Sequence, residues 1–347
     1  MKKLKPKFKL LLVSILVVTA VLLATTIYIG VSEYNYRFVG VVLKDGTLKV
    51  RPHTTFEQVA QMLQDKGFIA SKERMVRVAG HYDVDTAQVG NYALTKGSSW
   101  RSLLVPLAAG HQSPVRLTFN NIRTLEQLAF RVSRYTLADS ADFMRLFCSD
   151  SLMQSRSLTP QTLISMFLPN TYEVYWTITP EEFVQKMGQE WDRFWNSRRR
   201  NKASELGFTP LEISILASLV YQETKKEEDM TPVAGVYINR LRRGMPLQAD
   251  PTVKFAVGNF GLKRILHRHL AVDSPYNTYK HTGLPPGPIC LPPIVALEAT
   301  LDYQGHNYYY FCASAEFDGS SRFAATLAEH SRNARAYQAE LNRRKIK

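Results

Sequence analysis

The longest apolar run of the chain, from Leu10 to Gly30, carries no charged residue, and Lys2, Lys3, Lys5, Lys7 and Lys9 precede it. About 20 apolar residues let a helix cross a bilayer, so residues 10–30 predict a transmembrane helix. The lysines predict that the tail over residues 1–9 stays cytoplasmic and the remainder is exported. A cleaved signal peptide competes with this reading, but its apolar core spans only about 7 to 15 residues before an Ala-x-Ala-like site. Here the run is longer, and Ala20 and Ala24 lack that spacing, which favours a retained anchor.

Beyond the anchor the periodicity shortens. Phe38 to Val50 reads as two short strands around Asp45-Gly46. Thr54 to Gly67 reads as a helix with Phe56, Val59, Ala60 and Leu63 on one side. The phrase Thr55-Phe56-Glu57-Gln58-Val59-Ala60 returns as Thr124-Leu125-Glu126-Gln127-Leu128-Ala129. Each copy starts a helix on a threonine cap after a predicted strand, which suggests a small strand-helix unit used twice. Gly90–Leu94 predicts a strand and Trp100–Ala109 a helix ended by Gly110. From Ala138 to Lys202 the pattern turns helical, with Phe183, Met187, Trp191 and Trp195 at four-residue intervals. Such a stripe can stack on sugar rings, but it is more often core. Tyr308–Cys312 and Arg322–Ala324 flank Asp318-Gly319 and predict a hairpin, followed by a basic helix from about Thr326.

These elements predict an α+β chain. A membrane helix leads, a small α/β module covers residues 38–140, and a mostly helical domain with a C-terminal β-hairpin covers 141–347. No low-complexity linker marks the join.

One helix breaks its own pattern. Thr209-Pro210-Leu211-Glu212 opens it with a capping box and a proline at the first helical position. Ile215, Leu216, Leu219 and Val220 then recur on one face, and Glu223 continues that face one turn on. A carboxylate in apolar surroundings loses hydration, so its pKa rises above the usual value of about 4.3. At roughly 6 to 7 it can donate a proton near neutral pH and take it back. An ion pair at the helix end is the structural alternative, and the helix alone does not separate the two.

Charge adds little until the anchor is considered. Lys+Arg total 44 against 30 Asp+Glu, a balance that would suggest nucleic acid in a cytosolic protein. Behind an export anchor it points instead to anionic lipid headgroups or a carboxylate-bearing polymer. Arg198–Arg200 and Arg240–Arg243 read as mainly solvated clusters, and no nucleic-acid motif accompanies them. Three cysteines, Cys148, Cys290 and Cys312, make no disulfide framework, though Cys290 and Cys312 are a conceivable pair. His267, His269, His281 and His306 are scattered among loop residues, which predicts surface roles and no metal site.

From Gly244 to Pro293 the chain is rich in Gly, Pro, Asn and Tyr. Amides and hydroxyls suit sugar hydroxyls and acetamido groups, tyrosine rings supply flat apolar faces, and prolines limit loop freedom. Within it stand Leu247-Gln248-Ala249-Asp250-Pro251-Thr252, Tyr276-Asn277-Thr278-Tyr279 and Gly283-Leu284-Pro285-Pro286-Gly287-Pro288-Ile289. With Leu168–Glu173, Leu216–Thr224 and Val236–Leu241, these phrases in this order resemble the MltG (YceG-like) endolytic murein transglycosylase family. The resemblance covers nearly the whole chain.

It implies a LysM-like module over residues 38–140 and a YceG-like catalytic domain over 141–347. Glu223 takes the catalytic acid position, and Gln248, Asp250, Tyr276, Asn277 and Tyr279 form the substrate-binding surface. The implied reaction cleaves peptidoglycan glycan strands between N-acetylmuramic acid and N-acetylglucosamine, leaving 1,6-anhydro ends without metal or cofactor. The implied place is the inner (cytoplasmic) membrane, anchored through residues 10–30, with peptidoglycan synthases as neighbours. Two rivals stay open. One is a hydrolytic muramidase with Asp250 or Asp273 as second carboxylate; the other is a non-catalytic wall-binding scaffold. Tyr221 and Gln222 replace charged residues common before the family's catalytic Glu, so they are expected to alter its pKa. The surroundings of His330 follow the family pattern only in part.

Overall fold

The computed structural model describes residues 6–262 and 264–344. Lys2, Lys3 and Lys5, on which the orientation argument partly rests, lie outside the described residues. The chain is mostly helical with small two-stranded sheets. It divides into two compact units, one running to Val115 with Glu173–Thr177 added, the other comprising Arg116–Tyr172 and the chain from Ile178 onward.

The first unit opens with α1 (Pro6–Phe38), whose apolar side chains between Leu10 and Val31 are exposed. The stretch Lys9–Phe38 is long and apolar enough to cross a membrane, compatible with a single-pass anchor. Helix α1 runs two turns past the predicted end at Gly30 and takes up the start of the first predicted strand. The hairpin expected around Asp45-Gly46 therefore does not form. Instead β1 (Gly46–Val50) pairs antiparallel with β2 (Gly90–Leu94), Gly46 opposite Leu94 and Val50 opposite Gly90. The amides of Val41 and Leu43 are already committed to the carbonyls of Ser98 and Phe68, at 2.8 and 2.9 Å, and cannot build the local ladder. Between the strands lie α2 (Phe56–Asp65) and α3 (Lys72–His81), and α4 (Trp100–Ala109) follows. Phe56, Val59, Ala60 and Leu63 are all buried on the predicted face of α2. Gly110 ends α4 in the left-handed region at φ 73°, a conformation glycine adopts without strain.

The strand-helix unit recurs. β3 (Val115–Phe119) pairs with β4 (Asn170–Val174), and between them run α5 (Leu125–Ser133), α6 (Ser140–Phe147) and α7 (Asp150–Arg156). Thr55 and Thr124 cap α2 and α5 alike, each accepting from the amide of the glutamine three residues on.

The rest is helical: α8 (Pro180–Phe194), α9 (Ser197–Leu206), α10 (Pro210–Glu223) and α11 (Glu227–Arg242). Two short helices, α12 (Asp250–Val257) and α13 (His267–Leu270), interrupt the stretch expected to be loop throughout. α14 (Ile294–Leu301), the hairpin β5 (Tyr310–Ala313) and β6 (Ser321–Ala324), and α15 (Leu327–Arg343) complete it. In that hairpin Tyr310 pairs with Ala324, as the aromatic strand pattern predicts.

Helix α10 is the centre of this unit. Its capping box forms as expected: Glu212 N–H donates to Thr209 Oγ1 at 3.2 Å, and Thr209 N–H donates to Glu212 Oε2 at 2.7 Å. The one-sided burial expected of it does not hold, because every residue from Ile213 to Val220 is buried. Ser214 and Ser218 tolerate this by donating their hydroxyls to the carbonyls of Pro210 and Ile215. α11 and α14 pack against α10, with Leu216 and Leu219 fully enclosed. Burial of such a leucine contributes about 1.5–3 kcal/mol. Phe183, Met187 and Trp195 of the aromatic stripe are buried as core.

Candidate active site

Glu223 is the last residue of α10, so the buried helix delivers its carboxyl to the edge of the core. Tyr237 of α11, only 1% exposed, donates its hydroxyl to Glu223 Oε1 at 2.8 Å. Glu223 is recessed yet partly open, because two cavities of about 320 and 510 Å3 meet at Glu223 and Phe311. Its pKa is pushed up to about 7. Loss of hydration is the main cause; the Tyr237 hydrogen bond opposes it, Asp250 adds to it, and Lys254 of α12 offsets a little. The C-terminal end of α10 carries partial negative charge, which also favours the neutral acid. A carboxyl in this state can both give and take a proton near neutrality.

The smaller cavity collects the polar groups. Arg240 stands one turn beyond Tyr237 on the same face of α11 and is 7% exposed. Its Nε donates to Tyr309 O at 2.6 Å, and its Nη1 reaches Pro246 O, Leu247 O and Gln248 Oε1 at 3.0–3.2 Å. Its guanidinium lies 5.1 Å from the centre of the Tyr310 ring. One side chain thus ties the hairpin to the loop before α12. Asp250, the first residue of α12, accepts from Tyr279 Oη at 2.6 Å. Burial, then Asp250, hold the Tyr279 hydroxyl in its protonated form.

Two sequence phrases prove to be one structural device. Gln248 N–H donates to Thr278 O at 3.1 Å, Ala249 N–H to Thr278 Oγ1 at 3.0 Å, and the hydroxyls of Thr252 and Thr278 lie 2.8 Å apart. Gln248 sits in the left-handed region at φ 52°, a strained backbone for a non-glycine residue. Gln248, Asp250 and Tyr279 all line the cavity beside Glu223. Tyr276 and Asn277 do not. The ring of Tyr276 packs on Phe255 at 4.7 Å, and Asn277 is fully enclosed. Its Nδ2 donates to Leu270 O and Val272 O, and its Oδ1 accepts from Tyr279 N, so it shapes the turn that presents Tyr279.

The proline-rich phrase also docks inward. Ile289 N–H donates to Ser218 Oγ at 3.1 Å, and a Cβ on Gly287 would meet Gln161 O at 2.2 Å. Only glycine permits that approach.

Residues 48–336 match the YceG-like family. The chain belongs to the YceG-like family. It is similar to the endolytic murein transglycosylase of Bacillus subtilis (strain 168), 27% identical over 304 residues that cover 82% of each chain. The endolytic murein transglycosylase of Streptococcus pneumoniae serotype 2 is also 27% identical, and there the match spans 83% of this chain and 57% of the longer relative. A YceG-like protein of Listeria monocytogenes, known from a crystal structure at 2.6 Å, matches with a TM-score of 0.57 and 25% identity. That match covers 83% of this chain and 98% of the other.

Within this YceG-like chain, sequence reading passed over several residues that line the cavity. Tyr237 carried no expected role, and Arg240, expected in a solvated cluster, is instead buried with its donors spent on the Tyr309, Pro246 and Leu247 carbonyls and the Gln248 side chain. Tyr310 and Phe311 read as sheet residues, and no strand pattern says which acid a face looks upon. His330 of α15 stacks on Tyr310 at 5.4 Å, and burial followed by Arg240 lowers its pKa. Tyr221 and Gln222 do not tune Glu223 as expected, because the groups that act on it come from α11 and α12. Gln222 instead donates to Cys290 Sγ at 3.2 Å, and Lys225 lies over the Tyr221 ring. Cys290 is a buried thiol and Cys312 a free one, so the pairing entertained for them is not present.

Proposed function

We propose that this YceG-like chain is a membrane-anchored lytic transglycosylase of peptidoglycan, with Glu223 as acid and then base. The observation that carries this reading is a recessed carboxyl at the end of a buried helix, bonded to Tyr237 at 2.8 Å where two cavities meet, with burial pushing its pKa up. The activity named for the relatives supports the substrate class. In the first step Glu223 gives its proton to the oxygen joining N-acetylmuramic acid to N-acetylglucosamine, as positive charge develops on the muramic ring. In the second, the carboxylate takes the proton of that ring's 6-hydroxyl, whose oxygen closes on the anomeric carbon. One proton leaves and one returns, no water is consumed, and a 1,6-anhydro end results. A single carboxyl therefore suffices, unlike the paired carboxyls of ordinary glycosidases.

In this reading Tyr237 orients Glu223, while Gln248, Asp250 and Tyr279 bind the strand. Arg240 supplies a cation suited to the acidic substituent of the muramic residue. Tyr276 and Asn277 act through the packing and the turn that hold Tyr279. The two cavities flanking Glu223 favour a strand lying across the acid over one ending at it. Residues 38–140 serve as the LysM-like wall-binding module and 141–347 as the catalytic domain. Helix α1 anchors the chain in the inner membrane with its N-terminus cytoplasmic, beside the synthases that make the strands. No metal or cofactor enters the steps.

Asp250 lines the same cavity as Glu223 and favours a second reading, hydrolysis of the same bond; Asp273 lies outside that lining. Product masses from purified glycan strands decide. Anhydro ends made by the wild type and not by Glu223→Gln are expected; reducing ends alone would establish the hydrolase, and full activity in the variant would remove Glu223 from the mechanism.

A further inference from the structure

Helix α3, capped by Ser71, carries Arg74, Arg77 and His81 at spacings that bring them to one face. That face borders a cavity of about 260 Å3, far from Glu223 in the chain and separate from its two cavities. Helix α1 supplies the opposite wall with Tyr28, Ser32, Asn35 and Tyr36. Tyr82 stacks on Tyr36 at 3.6 Å between centroids, and Trp100 of α4 closes the cavity.

The lining is rich in donors. Trp100 is 4% exposed, and its Nε1 has no acceptor among the described residues. The buried hydroxyl of Tyr82 likewise has no partner among them. Buried polar groups are rarely left unpaired in folded proteins, so these two donors, on residues that border the cavity, mark a region whose hydrogen bonding is incomplete. Among the described residues no carboxylate lines the cavity. The acids nearest in sequence are engaged elsewhere, Glu33 by Arg37 at 2.7 Å and Glu73 by the Ser71 hydroxyl at 2.8 Å. The guanidinium groups of Arg74 and Arg77 and the ring of His81 line the space with no carboxylate among the described lining residues, an arrangement suited to phosphate oxygens.

Its depth is fixed by α1. At about 1.5 Å per residue, Leu10 to Ile29 spans about 30 Å, the thickness of the hydrocarbon layer. Tyr28 to Tyr36 then fall at headgroup level, where Tyr and Trp concentrate. This placement rests on α1 being the proposed anchor.

We propose that the cavity between α1, α3 and α4 is a phosphate-anion site, filled by the headgroup of an anionic phospholipid or by free phosphate. Occupancy would lock the small unit against the membrane surface.

The full chain in detergent, studied by native mass spectrometry, tests this with phosphatidylglycerol, phosphatidylcholine and inorganic phosphate as probes. Arg74 and Arg77 are both exposed, so Arg74→Ala with Arg77→Ala leaves the core intact. A preference of roughly tenfold for phosphatidylglycerol over phosphatidylcholine is expected, weakened about fivefold per arginine removed. Arg335→Ala on α15 should leave it unchanged. Binding of inorganic phosphate alone, lost in the double variant, would support the site with a soluble source. Absence of both the lipid preference and phosphate binding, or equal weakening by Arg335→Ala, overturns the proposal. Flotation with phosphatidylcholine vesicles tests the anchor separately: a chain that floats without selectivity keeps its anchor and loses the site.

Discussion

Glu223 and Tyr237 share one hydrogen bond, and removing the Tyr237 hydroxyl moves the proton affinity of the carboxyl in a definite direction. The proposed first step needs Glu223 protonated, so kcat/KM is expected to fall as pH rises through about 7. The Tyr237 hydroxyl favours the charged form, so Tyr237→Phe should carry that alkaline limb to higher pH; a limb that stays put would mean the hydroxyl does not tune the acid. Glu223→Gln should cut turnover by about 10²–10⁴-fold, the usual worth of a general acid. The same group affects stability. Its folded pKa exceeds its unfolded one, so its stabilising contribution is complete below about 4.5 and is lost as pH rises through about 7. Above that, the recessed charge costs at most about 3 kcal/mol. Gln keeps an acceptor for Tyr237, so the Tm advantage of Glu223→Gln should grow between those pH values and then level off. A difference independent of pH would show that burial does not hold the acid neutral.

At the scale of elements, the loops work because one segment binds another. Thr278 Oγ1 accepts from the Ala249 amide and meets Thr252, joining the phrase that carries Asp250 to the phrase that carries Tyr279. Thr278→Val would strand the buried amide of Ala249 at a cost of about 1–3 kcal/mol. We expect a lower Tm with a larger loss in kcat/KM than a surface variant such as Arg335→Ala shows. Helix α10 itself depends on its cap: Thr209→Ala should cost about 1 kcal/mol in denaturant unfolding, with product chemistry unchanged. This cap, the turn at Gly110 and the hairpin from Tyr308 were legible because each is a local rule written in neighbouring residues. The strand pair β1–β2 was not, since its partners are separated by two helices and only the commitments of Val41 and Leu43 exclude the nearer pairing.

For the whole molecule, the anchor and the active unit are proposed to act independently in chemistry and jointly in place. A chain lacking residues 1–30 should stay in the supernatant after membrane sedimentation and still release anhydro products from purified glycan. Sedimentation of that truncated chain with membranes would show that α1 is not the principal anchor. Similarity to a Listeria monocytogenes YceG-like structure across 98% of that chain shows that the architecture is shared at a quarter sequence identity. Small sheets and a buried central helix tolerate such divergence because volume and pattern matter more to a core than particular side chains.

Much was determined by the sequence alone: an apolar run long enough to cross a membrane, threonine-capped helices, an aromatic hairpin, and a carboxylate at the end of an apolar helix. Each depends on spacing within a few turns or on length. Tertiary structure decided what the carboxylate meets. Tyr237 and Arg240 arrive from α11, Asp250 and Lys254 from α12, and Phe311 from the hairpin, while Tyr221 and Gln222, its neighbours in the chain, turn away. A proton affinity is set by all the groups that surround an atom in space, and a helix end buried among several elements collects them from remote parts of the chain.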